Sequence, residues 1–277
     1  MKVFKSIFSF YINSSIHVAL AVFAMSWITL LKYRLPYDEN SLYFVFFATI
    51  TAYNFVKYFG LAKFHHRSLT NELKIIQLFS AFAFVLMCYF LFQLNSKVWW
   101  LLCVLAPITF LYAVPFVPKR LLFDNQQNLR QIGGVKVYII ALVWSFVTVL
   151  IPLLNFELGI DSEVIISLVQ RFVLVIVLML PFEIRDLQYD NLKLATIPQK
   201  IGIKKTKIIG VLLLFVFCFL ELLKPETSSN PILSTLILIS LTLLSLLFAS
   251  KKQTKYYSSF WVESIPVFWL LALLLFA

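Results

Sequence analysis

The segment from Pro181 to Asp190 reads Pro-Phe-Glu-Ile-Arg-Asp-Leu-Gln-Tyr-Asp, so that Glu183, Asp186 and Asp190 are spaced i, i+3, i+7. On a helix these carboxylates share one face, separated by about one turn each. The chain holds only 13 acidic residues in all, and three of them fall within this short span. Such neighbours repel unless something positive lies against them. Two arrangements would supply it. A divalent cation is one, and Mg²⁺ characteristically uses one or two carboxylates together with substrate phosphate oxygens and water. The other is a solvated helix end whose acids pair with Arg185 or Lys193. Arg185, Lys200, Lys204 and Lys205 could complete an anion site beside the metal, because Arg forks onto phosphate oxygens and Lys acts as a point charge. Lys193, Lys204 and Lys207 read equally well as anchors at a membrane surface.

The elements that must carry these residues follow from composition. Of 277 residues, 61% are hydrophobic and 13% charged, against roughly half and a quarter in soluble domains. A soluble fold of this size has too little interior for so much apolar surface, and a lipid core is the solvent that can take it. Runs of about 20 apolar residues read as membrane-crossing helices, which satisfy their backbone polar groups internally. Nine such runs are expected: residues 12–31, 42–61, 73–94, 98–115, 134–153, 164–182, 208–223, 231–249 and 260–276. The expected fold is therefore an all-α polytopic membrane protein, a bundle of nine transmembrane helices in a single domain over 1–277. Helices 1–4 and 5–8 would form a faint internal repeat, with the site at the interface of the halves.

Lys and Arg in the connections set the orientation. With the N-terminus cytoplasmic, Lys2 and Lys5, the stretch with Lys57, Lys63, Arg67 and Lys74, that with Lys119, Arg120, Arg130 and Lys136, the Arg185 to Lys207 segment and Lys251 to Lys255 all fall inside, leaving Lys32, Arg34, Lys97 and Lys224 outside. The long basic loops make the cytoplasmic face of an inner membrane the working face. The net charge of +11 is thus spread between apolar runs and not gathered into the basic face that nucleic acid would need. No protein partner is evident. Cys88, Cys103 and Cys218 are isolated within apolar stretches and read as small buried hydrophobes, not as disulfide or metal partners.

The motif Glu183-x-x-Asp186-x-x-x-Asp190, followed by Ile197-Pro198-Gln-Lys200-Ile-Gly202, resembles the second aspartate-rich motif of UbiA-type intramembrane prenyltransferases and the loop after it. Tyr112-x-x-Pro115 with Lys119-Arg120, Lys136 with Trp144 and Pro152, and Glu263 in Ser259-Phe-Trp-Val-Glu263 extend the resemblance at lower specificity. It implies a nine-helix fold that binds an isoprenyl diphosphate through Mg²⁺ and transfers the prenyl group to an aromatic or other lipophilic acceptor. On that reading Glu183, Asp186 and Asp190 hold the metal, Asp186 and Asp190 are the catalytic pair, and Lys57, Arg185, Lys200 and Asn54 face the diphosphate.

The first aspartate-rich motif departs from the family pattern N-D-x-x-D-x-x-x-D. Here the corresponding segment runs from Asn54 through Phe55, Lys57 and Tyr58 to Ala62, and only the Asn remains. At least one metal should be lost. Lys57 offers a compensation, since its ammonium could replace part of the missing charge, or it could snorkel to the headgroups. A non-catalytic relative that binds or moves an isoprenoid or other lipid is the rival reading, and the direction of Lys57 discriminates between them. Tyr53, Tyr58, Tyr112, Tyr138 and Tyr189 are candidates for the aromatic wall that an allylic cation needs. His65 and His66 read as solvated loop residues and His17 as a hydrogen-bonded interior residue. Arg171, inside the sixth run, is expected to find Glu157, Asp161 or Glu163.

Overall fold

The structure, a computed structural model, describes residues 2–64, 71–113, 134–188, 196–224 and 232–276. Every element among them is helical: α1 (Lys2–Asn13), α2 (Ile16–Lys32), α3 (Glu39–Phe64), α4 (Asn71–Leu91), α5 (Ser96–Ala113), α6 (Val135–Ser145), α7 (Ile151–Asn155), α8 (Ser162–Asp186), α9 (Ile197–Leu222), α10 (Ile232–Leu247) and α11 (Ile265–Phe276). A π-helical turn, Phe146–Leu150, joins α6 to α7, and another, Tyr257–Val262, precedes α11.

α8 is the axis of the bundle. Asp161 caps it by accepting from the Val164 amide at 2.8 Å, and 67% of its apolar window is buried by other helices, against 11% for α4. Its Val173 to Leu178 stretch forms the main core with Met25 and Ile28 of α2, Ala141 of α6, Phe217 of α9, Leu238 of α10 and Trp269 of α11. Gly210 lets α9 close onto this axis, because a Cβ there would run into Leu246 of α10 and Leu180 of α8. The outward faces are apolar too: Leu78, Phe82, Phe92, Trp100, Phe215, Phe219 and Phe248 are exposed. A surface of that kind is stable only against lipid. The chain is a membrane-embedded, multi-pass helical protein.

By length and apolarity, four of the described helices qualify as membrane spans, or five if the bent pair of α1 and α2 counts as one; α5 and α10 are shorter apolar helices. The expected first span, 12–31, is corrected: the helix breaks at Ser14 and Ser15, and α1 leaves α2 at 55°. Its cause is the polar triplet Asn13-Ser14-Ser15, whose last member adopts a left-handed conformation with φ of 66°. α9 starts well before the expected residue 208, with Gly202 (φ 79°) making the one non-helical step inside it. The cysteines are unpaired, as the sequence suggests, but they are not buried: Cys103 is exposed and Cys88 and Cys218 are half-buried. Arg171 is corrected as well. It donates to the Met25 carbonyl at 2.8 Å and the Thr29 hydroxyl at 3.2 Å, and the acid whose charge reaches it is Glu221.

Candidate active site

Two interruptions of helical geometry bring polar side chains into the bundle at one end. The first is the α1–α2 break. Three residues of α3, within about one turn of each other, stitch themselves to it. Asn54 donates to the Ser14 carbonyl (3.0 Å) and the Ser80 hydroxyl (2.7 Å) and accepts from the Ser15 hydroxyl (2.8 Å). Lys57 donates to the same Ser15 hydroxyl at 2.8 Å, and the Tyr58 hydroxyl donates to the Asn13 carbonyl at 3.0 Å. Tyr58 occupies a position where the resembled motif carries an acid, and its contact is with the backbone of the break.

The second interruption is the π-helical turn Tyr257–Val262. Pro266 has no N–H to offer the Val262 carbonyl one turn behind it. The irregular turn this favours puts Glu263 at the head of α11. His17 of α2 fixes the turn: its Nε2 lies 2.9 Å from the Phe260 carbonyl and 3.1 Å from the Ser264 hydroxyl, its Nδ1 2.7 Å from the Tyr11 hydroxyl, and its ring stacks on Phe260. The interior, hydrogen-bonded role expected of His17 is what it has. Glu263 is thereby placed where the charges of both Lys57 and Arg185 act on it.

The third component is the lower end of α8. Glu183 is 1% exposed and its Oε1 lies 3.1 Å from Lys136 Nζ. The same ammonium reaches Asp186 at 3.6 Å. Arg185 holds Asp186 from the other flank, with Nε and Nη2 each 2.8 Å from Oδ1, while its guanidinium covers the Phe182 ring. Three cations and three acids drawn from α3, α6, α8 and the head of α11 are therefore gathered at one end of the bundle. Lys57 is exposed as a residue, with its ammonium tied to Ser15 and within electrostatic reach of Glu263. Above the charges lie aromatic groups: Trp144 donates to the Tyr53 hydroxyl at 3.1 Å, and Tyr112 is buried within electrostatic reach of both Tyr53 and Lys136.

The predicted residues thus divide. Glu183, Arg185, Asp186 and Lys57 are brought together. Asn54 stands behind Lys57, its amide engaged by the break and by Ser80 of α4. Lys200, at the first turn of α9, is exposed and pairs with no acid among the described residues; its amide accompanies a cap in which Gln199 Oε1 accepts from the Thr196 N–H at 3.0 Å. Lys204 and Lys205 are exposed too. Asp190, Tyr189, Lys193, His65 and His66 lie outside the described residues. Tyr138 is 47% exposed and turned from the site. Lys136 and Glu263 are the two members that the motif alone did not supply.

Whether Mg²⁺ suits this place is a question of donors. Among the described residues no three His, Cys, Asp or Glu side chains are placed so that they could hold one metal ion. Glu183 is buried against Lys136, whereas Asp186, whose side chain is 20% exposed, borders the opening. The described residues alone do not make a Mg²⁺ site, and Asp190, the third expected carboxylate, lies outside them.

No family model and no curated protein matches the chain. A solved structure does. The chain aligns, over 98% of its own length and 98% of the other's, with a digeranylgeranylglyceryl phosphate synthase in membranes, at a TM-score of 0.56 and 16% identity. That neighbour is a UbiA-type intramembrane prenyltransferase. At this identity the likeness concerns architecture, and it covers the chain from end to end: the protein has the UbiA-type fold.

Proposed function

We propose that this protein is a Mg²⁺-dependent intramembrane prenyltransferase, moving a prenyl group from an isoprenyl diphosphate to a lipophilic acceptor. One observation carries the reading: Lys57, Arg185 and Lys136 gather with Glu183, Asp186 and Glu263 at one end of the bundle, beside the aromatic groups Tyr53, Tyr112 and Trp144. Nine crossings with a cytoplasmic N-terminus, as charge distribution suggests, would put this mouth on the cytoplasmic side of an inner membrane, at the interface of the two half-repeats.

Diphosphate departs with charge accumulating on its oxygens, and fixed cations in a water-poor site stabilise such charge best. Arg185 and Lys57 are the groups positioned to take those oxygens. Bound Mg²⁺ would add further neutralisation, with Asp186 and Asp190 its carboxylates and Glu183 behind them. Lys136 holds the Glu183 and Asp186 side chains together. Lys200 could approach only from the exposed rim. The allylic cation would face Tyr53, Tyr112 and Trp144, each ring contributing about 1 to 2 kcal/mol of cation–π attraction in a dry site.

The test is pyrophosphate release by the purified protein offered a panel of isoprenyl diphosphates with lipophilic acceptors and Mg²⁺. Release that stops on chelation and in Asp186→Asn is the expected result. No release with any donor would favour the second reading, a non-catalytic relative that binds or moves an isoprenoid or other lipid. That reading draws on the α3 segment, where Asn54 and Tyr58 serve the helix break and no carboxylate faces Asp186.

A further inference from the structure

At the other end of α8 lies a polar cluster that prenyl transfer does not use. Arg171 and Asp186 are on one helix, about 22 Å apart along its axis. Lys32 of α2 is 2.6 Å from Glu221 Oε1, and Lys224 is 3.6 Å from Glu221 Oε2 and donates to Gln170 Oε1 at 2.7 Å. Gln170 Nε2 in turn donates to Glu221 and to the Phe217 carbonyl. The Lys32 ammonium and the Arg171 guanidinium both cover the Trp269 ring, at 5.3 and 5.4 Å from its centre.

These charges are deeply buried: Lys32 is 5% exposed, Arg171 6%, and the Lys224 side chain 4%. Among the described residues three cations thus face one carboxylate. An uncompensated charge in so dry a place is costly. Between them is a cavity lined by Lys32, Tyr33, Gln170, Arg171, Lys224 and Trp269 and large enough for about one water or one halide ion. Trp269 is 2% exposed and its indole N–H has no acceptor. An excess of positive charge, an idle donor and an opening of monatomic size are complementary to a single kind of guest. Water would satisfy the indole but leave the charge; a phosphate or a lipid headgroup would not fit.

We propose that the cavity among Lys32, Arg171, Lys224 and Trp269 binds one halide-sized anion, chloride under ordinary conditions. The ion joins α2, α8, α9 and α11 at their common end. The melting temperature of the purified full chain in detergent, measured in sodium chloride or bromide against sodium gluconate at fixed ionic strength, tests it. A saturable rise with chloride and bromide is expected. Trp269→Phe, which keeps the ring and removes the donor, should raise the half-saturating halide concentration about tenfold. Crystals grown in bromide should give an anomalous peak beside Lys32 and Arg171, a measurement that needs no variant to fold. Equal melting in chloride and gluconate, an unchanged halide response in Trp269→Phe, or a cavity without a bromide peak would each overturn the proposal.

Discussion

The two ends of α8 bury charge in opposite ways. At one, Glu183 and Asp186 share Lys136 and Arg185, and acids and bases are matched among the described residues. At the other, Lys32, Arg171 and Lys224 surround Glu221, the one acid there among the described residues. The matched end borders an opening, with Asp186 and Arg185 side chains 20% and 23% exposed, while at the unmatched end the Lys32 and Lys224 side chains are 6% and 4% exposed and Arg171 is 6% exposed. A site that must admit and release a charged substrate needs ion pairs loose enough to exchange partners. A site that holds a permanent guest does better sealed. Burial, more than charge count, separates them.

The sharpest way to break this contrast is at the open end. Asp186→Asn removes the carboxylate that Arg185 and Lys136 hold in place and that Mg²⁺ would share, and prenyl transfer in membranes should fall by about 10²- to 10³-fold. The melting temperature should change little. Next in size is Lys136→Met, which removes the ammonium 3.1 Å from the buried Glu183 carboxylate. A loss of about 3 kcal/mol is expected, read as a lower melting temperature, and a double variant with Glu183→Gln should recover most of it. Were Lys136→Met as stable as the parent, Glu183 would have another counter-charge and the matching at this end would be illusory.

Lys57→Ala should raise the KM for diphosphate donors about tenfold, the scale of one hydrogen bond to a charged group, with Lys57→Arg recovering part of it. An unchanged KM would put Lys57 outside the substrate's reach and leave it a strut for Ser15. The smallest effect belongs to the unmatched end. Burial, and then the neighbouring Lys32 charge, bring the Lys224 ammonium down to about 8. Lys32, Arg171, Gln170 and Glu221 face it from α2, α8 and α9. A bound anion favours the protonated ammonium, so halide affinity should be full below that pH and fall a few-fold as pH rises through it. Titration of the halide-dependent melting shift between neutral and alkaline pH checks the sign.

Much of the architecture was legible because the apolar runs are long and the lipid solution is the only one open to them. The charged face of Glu183 and Asp186 was legible for a similar reason, since i and i+3 positions meet on any helix. Partners remote in sequence were not. Lys136 reaches α8 from the start of α6, and Arg171 is served by α2 and α9, not by the acids near its own loop. Nothing in local spacing specifies such pairs. The α1–α2 break had a signal, the triplet Asn13-Ser14-Ser15 inside an apolar run, but run length outweighed it in the reading. Glu263 was visible through the resemblance, yet its inward placement depends on a π-helical turn that no composition rule announces.

Ser15 links shape to performance in a manner that a laboratory selection would expose. Glycine tolerates its left-handed backbone at no steric cost, so Ser15→Gly would relieve about 1 kcal/mol of conformational penalty while forfeiting hydrogen bonds of similar worth. A screen for heat resistance would be nearly blind to that exchange. Turnover would not, because the hydroxyl lost is the one that tethers Lys57. Evolution toward robustness and evolution toward substrate affinity would therefore disagree at this residue, which makes its identity in variants a gauge of which pressure has acted.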